Sequence, residues 1–341
     1  MHPLISDSLT PPMQIISLLC GSFVTQAVHA MAELRLADLV QEGPKSTSEL
    51  AKATNTHEES LYRLLRVLVC LDILSEPQPG YFGSTALSAC LLSDNPKTLY
   101  HLALMVGGDW SWKILEELTY SLHTGKPAFD HLYGKSIWQY FAEDDSEAGT
   151  LFNLAIKSGS GSMDSSIVDA YDFSSIHTLV DVGGGLGSLL VTILQRYPMM
   201  KGILFDRPEV IEEAREQIER VGLSSRCELI AGNFFGEIPR GDAYCLRQII
   251  LDWEDKECEI ILRNCKQAMN PGGKILVIEQ VLQLGKADLV GKLLDLHLLC
   301  TLPGRQREEA EFRQLFAAAE LTLKRVIPTS SLYKIIEGAV A

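Results

Sequence analysis

The chain has 341 residues, 46% hydrophobic and 22% charged, and its 30 basic against 44 acidic residues give a formal net charge of −14. Hydrophobic content at that level, with aromatics spread along the chain, excludes a disordered protein, and the length fits two domains. The acidic balance speaks against nucleic-acid binding through a general positive field, and no run of about 18 uncharged apolar residues is expected, so no membrane partner is either.

The eight cysteines (Cys20, Cys70, Cys90, Cys227, Cys245, Cys258, Cys265 and Cys300) form no CxxC pair. Apolar surroundings such as Ser17-Leu18-Leu19-Cys20 predict buried reduced thiols in preference to disulfides or zinc ligands, and no metal site is expected. No basic residue precedes the first apolar stretch, which argues against a secretory signal and makes the cytoplasm the expected location.

Residues 1–100 read as a helical domain. Met13 to Val40 is apolar with few charges, and Gly21, Ser22, Ala27 and Ala30 permit close helix packing. Ser46 followed by Glu49 marks a capped helix start. After a turn at Asn55-Thr56-His57, Glu58 to Leu71 places Leu61, Leu64, Leu65, Leu68 and Leu71 on one helical face, and Tyr81 to Thr85 reads as a short wing. The combination predicts a winged-helix unit. Its second helix offers only Arg63 and Arg66 as cations against Glu58 and Glu59, and residues 1–100 hold six Lys or Arg against ten Asp or Glu. A scaffold or dimerisation role is therefore expected instead of DNA reading, with residues 13–40 intertwined in a homodimer.

Residues 101–175 mix helix and loop and carry Trp110, Trp112, Phe129, Trp138, Phe141 and Phe152, which suits a linker and substrate lid. From His177 the rhythm changes. Leu179-Val180-Asp181-Val182, helix 188–197, Gly202 to Asp206, helix 210–221, Glu228-Leu229-Ile230, Ala243 to Ile250, helix 255–269 and Lys274 to Leu282 alternate strand with helix. Leu321 to Ile327 and Leu332 to Ile336 suit a closing hairpin. This predicts an α/β fold over residues 176–341, a doubly wound sheet buried on both faces.

Asp181-Val182-Gly183-Gly184-Gly185-Leu186-Gly187 follows the first of those strands and opens a helix. Glycines there let backbone approach a ligand, and a helix N-terminus favours an anion. Asp206 ends the next strand, where a carboxylate can accept hydrogen bonds from both ribose hydroxyls. The dinucleotide spacing G-x-G-x-x-G fails in both registers, since the last position falls on Ser188 or Leu190. Asp181, Gly183, Gly185 and Gly187 match D-x-G-x-G-x-G instead, the pattern of class I methyltransferases.

Around that loop, Phe205-Asp206-Arg207-Pro208-Glu209-Val210, Gly232-Asn233-Phe234-Phe235 and Asp252-Trp253-Glu254-Asp255 closely resemble the small-molecule O-methyltransferases of plants and bacteria. Leu61-Tyr62-Arg63-Leu64-Leu65-Arg66, Thr124 to Phe129 and Tyr171-Asp172-Phe173 match upstream, so the resemblance runs from about residue 20. It implies a class I methyltransferase Rossmann-like domain behind an all-helical winged-helix dimerisation domain, with S-adenosylmethionine as cofactor. By the resemblance Gly183 meets the methionyl part, Asp206 the ribose, and Asn233 and Phe234 the adenine. Asn233 replaces a usual Asp, and its amide oxygen can still accept from an adenine amino group. Arg247 stands for a usual Lys at the same end of the pocket. Phe152, Ile156 (for a frequent Met) and Trp110 are expected against a small, planar, aromatic or heteroaromatic natural product, at the carboxyl ends of the strands.

The family's His-Asp-Trp reads Leu251-Asp252-Trp253 here, so the base that deprotonates a phenol is missing. Gln306 replaces one Glu that orients that base, while Glu279 matches the other. Some bacterial members, including phenazine N-methyltransferase-like proteins, also lack the His and share an Arg five residues before the Asp. Three readings follow. The first is methylation of an atom that needs no strong base: a ring nitrogen, an acidic hydroxyl or an activated carbon. The second is a cofactor-binding protein performing a pericyclic cyclisation or hydroxylation, and the third is an inactive ligand-binding dimer. His297, on a helix lining the pocket, and Glu279, if burial raises its pKa, are candidate replacement bases. Asp252 is expected to orient the pocket, because an ordinary carboxylate titrates near pH 4.

Overall fold

The computed structural model describes residues 9–95, 98–157 and 160–340. The chain divides into two compact units, one of Met1–Glu116 with Trp138–Ser160 and a second of Glu117–Ile137 with Gly161–Ala341.

In the first unit, helices α1 (Pro11–Leu19), α2 (Gly21–Glu33) and α3 (Leu36–Val40) precede a short strand β1 (Lys45–Ser46). Ser46 Oγ accepts from the Glu49 N–H, and Glu49 answers at the Ser46 N–H over 2.8 Å, so helix α4 (Thr47–Thr54) starts with the expected capping box. Asn55, at φ 53°, ends it and turns the chain into α5 (Glu58–Cys70). Leu61, Leu65 and Leu68 of α5 are buried beside Met31, Leu36, Leu50, Leu74 and Phe82. Strands β2 (Ser75–Gln78) and β3 (Tyr81–Gly83) form the wing, and β3 also pairs with β1. This unit is thus not all-helical. Helices α6 (Tyr100–Gly107), α7 (Asp109–Glu116), α10 (Ile137–Glu143) and α11 (Ser146–Lys157) carry most of the aromatics expected of the lid; α8 (Leu118–Thr124) and α9 (Ala128–Tyr133) belong to the second unit.

Two expectations need correction. Pro11–Glu33 is long and apolar enough, by length and composition alone, to cross a membrane. Counting strictly apolar residues misses it, because Gln14, Ser17, Ser22, Thr25 and Gln26 interrupt a run that is nonetheless uncharged as far as Ala32. Met13, Ile15, Ile16, Leu18, Leu19 and Phe23 are all exposed along it. Nor are all cysteines buried: Cys70 and Cys90 are exposed, Cys20 is intermediate, and the other five are buried free thiols.

The second unit holds a seven-stranded sheet in the order β11-β12-β8-β7-β4-β5-β6. Strands β4 (Thr178–Val182), β5 (Lys201–Asp206), β6 (Cys227–Ala231), β7 (Gly241–Arg247) and β8 (Met269–Glu279) are parallel, and β11 (Thr322–Pro328) and β12 (Lys334–Ala339) add an antiparallel hairpin at one edge. Alternate residues feed two cores. Leu179, Leu204, Cys245, Leu276 and Ile278 pack with α13 (Ser188–Arg196) and α14 (Pro208–Arg220). Val180, Val182, Phe205, Tyr244, Leu246 and Val277 pack with α15 (Asp255–Ala268) and α17 (Glu309–Ala318). The strand expected to run to Ile250 stops at Arg247. Gln248 turns left-handed at φ 54° and spends its N–H on Ile278, and a 3₁₀ turn spans Ile250–Asp252. The remaining elements are α12 (Ser160–Ala170), α16 (Leu289–Thr301) and the parallel pair β9 (Val281–Leu282) and β10 (Arg307–Glu308).

Candidate active site

Strands β4 and β7 lie side by side, yet the chain leaves β4 toward β5 and β6 and leaves β7 toward β8. The strand order reverses between them, so the helices that follow diverge and open a crevice at their carboxyl ends, where doubly wound sheets bind ligands. The glycine loop leaves β4 there, and the turn carrying Leu251 and Asp252 leaves β7.

Gly183 has φ 65° and donates its N–H to the Phe205 carbonyl at 2.8 Å. A Cβ on Gly183 would overlap the Ile249 side chain and sit 3.6 Å from the Phe234 ring, so only glycine fits. Gly187, at φ 77°, is the N-cap of α13. Gly185 donates to Asp206 Oδ2 at 2.8 Å, and Arg207 N–H reaches Oδ1 at 2.7 Å. The Asp206 carboxylate is therefore held by backbone on both oxygens, and each oxygen keeps a second acceptor position for a hydroxyl. Asn233 is exposed and its Oδ1 accepts from Phe235 N–H at 2.9 Å, while the Phe234 ring stands edge-on to Trp253.

Asp181 lies beneath the loop at 2% exposure. Burial pushes its pKa up to about 7; Arg247 opposes this and the Asp164 and Asp206 charges add to it. Arg247, at the end of β7, pairs through Nη1 with Asp164 Oδ1 of α12 and through Nη2 with Ser188 Oγ at 3.3 Å. Asp164 and Ser188 are not singled out by the sequence, and nothing local in either segment signals an ion pair across 83 residues.

Leu251 is buried and donates its N–H to Glu279 Oε1 at 2.9 Å. Glu279 is fully buried, and its other oxygen, Oε2, has no hydrogen-bond partner among the described residues; neither has Gln306 Oε1. Burial raises Glu279 to about 8, against the opposing Leu251 N–H and Arg307. Asp252 keeps partial solvent access, yet its apolar surroundings raise it to about 7 with no other cause. The premise of an ordinary carboxylate near pH 4 thus fails for Asp252, and the burial on which Glu279 depends as a candidate base is present. Arg307, 1% exposed, pins the turn by donating to the Ile250 and Trp253 carbonyls, each at 2.9 Å, and to Asp255 at 2.8 Å. Arg307 directly follows Gln306, and the sequence assigns it no role.

His297 lies on α16, where burial lowers its pKa and Thr301 Oγ1 is 3.4 Å from Nδ1. The same helix reaches the 304–307 stretch through Asp295, which accepts from Gln306 N–H at 2.7 Å. Trp110, Phe152 and Ile156 belong to the first unit. Trp110 is buried edge-on to Phe141, which in turn packs on Phe152 at 5.4 Å; Ile156 is exposed. The second unit alone therefore gathers the glycine loop, Asp206, Asn233, Phe234, Arg247, Asp252, Glu279 and His297.

That donor set suits a nucleoside with an amino-acid tail. It offers an anchored carboxylate for a diol, an aromatic edge beside a close backbone approach, and a cation beyond it. The model of the O-methyltransferase domain matches residues 115–321, and that of the O-methyltransferase dimerisation domain matches residues 16–94. The chain is 38% identical to phenazine O-methyltransferase PhzM of Lysobacter antibioticus over 95% of each chain. It is also 38% identical to the mitomycin biosynthesis 6-O-methyltransferase of Streptomyces lavendulae, covering 91% of this chain and 89% of that one. The crystal structure of CalO1, a methyltransferase in calicheamicin biosynthesis, in its SAH-bound form superposes with TM-score 0.87 at 32% identity, over 99% of this chain and 100% of that one. The chain belongs to the O-methyltransferase family and is an S-adenosylmethionine-dependent methyltransferase of the natural-product type.

Proposed function

We propose that this methyltransferase acts on an acidic hydroxyl of a small aromatic or heteroaromatic natural product, with Asp252 standing in for the missing His as proton acceptor. One observation carries the reading: Leu251 holds the base position, and the acid beside it has a pKa of about 7. A carboxylate at that value takes a proton readily from a hydroxyl of similar acidity. From an ordinary phenol near 10 the same transfer is uphill by about three units, about 4 kcal/mol. The strength of the base therefore selects the substrate. The two relatives named above are O-methyltransferases, which supports an oxygen acceptor. A ring nitrogen, which needs no base before transfer, is the second acceptor that Leu251 favours.

S-adenosylmethionine supplies an electrophilic methyl group. The residues proposed to hold it are the loop of Gly183, Gly185 and Gly187 over Asp181, then Asp206 for the ribose, Asn233 and Phe234 for the adenine, and Arg247 for the methionyl end. In-line placement of acceptor and methyl group then supplies much of the rate. Arg307 keeps the Ile250–Asp252 turn in register, and neutral Glu279 braces it from below through Leu251 N–H. Neutral His297 borders the acceptor side.

We further infer a homodimer through α1 and α2, whose exposed Ile15, Ile16, Leu18, Leu19 and Phe23 lie within or beside the matched dimerisation domain. The chemical reading is tested by incubating the protein with methyl-labelled S-adenosylmethionine and either hydroxylated heteroaromatics or simple phenols. Label should move to the acidic hydroxyls; cofactor turnover with no methylated product would overturn the reading.

A further inference from the structure

We propose that Asp164 is a positioning residue for the cofactor: together with Ser188 it fixes the Arg247 guanidinium so that its exposed edge receives the carboxylate of the methionyl tail. The proposal rests on the reading that the glycine loop and Asp206 bind S-adenosylmethionine.

The cluster ties three elements together. Asp164 comes from α12, Arg247 from the carboxyl end of β7, and Ser188 from the first turn of α13, directly after Gly187. Arg247 bonds Asp164 through Nη1 and Ser188 through Nη2, and is thus held from two helices. A guanidinium so held cannot swing as a free arginine does, and its entropy of orientation is lost before any ligand arrives.

The pair is asymmetric. The Asp164 side chain is 2% exposed and that of Arg247 is 20% exposed. The carboxylate is the inner member, and the cation is the one that keeps solvent access. Arginine has five N–H donors, and the two bonds named leave capacity for a second carboxylate. A buried ion pair adds little net stability compared with apolar side chains of equal volume, so stability alone gives no reason for it here. Aiming a cation does.

The charge balance also suits the ligand. Burial raises Asp181 to about 7 against the opposing Arg247, with the charges of Asp164 and Asp206 adding to it, so near pH 7 it carries only part of a charge. Apart from it, Asp164, Asp206 and Arg247 sum to −1. The ligand's sulfonium, ammonium and carboxylate sum to +1. Positive groups and a negative group must be placed separately, and Arg247 is the cation of this cluster.

Calorimetric titration with two ligands separates the possibilities. S-adenosylhomocysteine carries the amino-acid tail, and 5′-methylthioadenosine carries the same nucleoside and sulfur without it. Asp164→Asn should weaken S-adenosylhomocysteine about tenfold and leave 5′-methylthioadenosine within about twofold, and Asp164→Asn combined with Arg247→Ala should be no weaker than Arg247→Ala alone. Equal weakening of both ligands, or no change in either, overturns the proposal. If Asp164→Asn fails to fold, Ser188→Ala carries the same comparison. Asp206→Ala serves as the reference: loss of both ligands there upholds the cofactor site even when the Asp164 comparison fails. Unchanged binding of both would sink the cofactor reading itself.

Discussion

Leu251 donates its backbone N–H to Glu279 Oε1 at 2.9 Å, while Glu279 Oε2 has no hydrogen-bond partner among the described residues. An acid that orients a base elsewhere in the family here braces the backbone of the residue that replaced the base. With Leu251 in place, neither Glu279 Oε2 nor Gln306 Oε1 is met by a side chain. Burial keeps Glu279 protonated at neutral pH, which spares the fold a buried charge.

Restoring the base should restore the older chemistry. Leu251→His together with Gln306→Glu should raise methylation of phenols that titrate near 10 by about 100-fold or more, because a positioned base is worth about 10²–10⁴. Initial rates with a simple phenol measure this. Rates unchanged from the parent would show that the pocket does not present a hydroxyl at that position.

Asp252→Asn removes the proposed proton acceptor while keeping the side-chain shape. In the pH–rate profile, the rate on an acidic hydroxyl should fall about 100-fold near pH 7, where about half of Asp252 is ionised and able to accept the proton. A variant with the parent's profile would assign Asp252 to packing.

Glu279 makes stability pH-dependent. Its unfolded carboxyl titrates near 4.5 and its folded one near 8, so between these values the folded state binds the extra proton. Unfolding free energy then declines as pH rises; the contribution is complete below 4.5 and is lost as pH passes 8. Glu279→Gln cannot ionise and should flatten that decline. The drop in Tm between about pH 5.5 and 8.5 should shrink by several degrees, at about 2–4 °C per kcal/mol for a chain of this size. Identical slopes in thermal melts of the two proteins would contradict this.

The α1–α2 face should carry the homodimer. Leu19 and Phe23 are 71% and 72% exposed, values that a monomer in water has no reason to maintain side by side. Leu19→Glu with Phe23→Glu should halve the mass read by light scattering while leaving the helical signal intact. A parent protein that is already monomeric would refute the inference.

The legible parts of the molecule are those whose reason is local. Gly183 and Gly187 announce their turn because positive φ favours glycine, and Asp206 announces itself by ending the next strand. Leu251 is visible as a break in a motif. What stays hidden depends on tertiary surroundings. The raised pKa of Asp252 comes from burial alone, and the Arg247–Asp164 pair joins segments 83 residues apart. The end of β7 at Arg247 escapes notice because Gln248 carries no glycine signal for its left-handed turn. The apolar run Pro11–Glu33, uncharged as far as Ala32, escapes it because polar but uncharged residues count as interruptions.

The central claim is that a weak base chooses an acidic acceptor. The most direct measurement is kcat/KM at pH 7 for one heteroaromatic scaffold bearing hydroxyls whose pKa values run from about 6 to about 10, the upper end being that of an ordinary phenol. The account predicts high rates up to about 7 and a fall of roughly tenfold per unit beyond it, the limit for a proton transfer that has become fully uphill. A flat series across that range, with the ordinary phenols methylated as fast as the acidic ones, would contradict it.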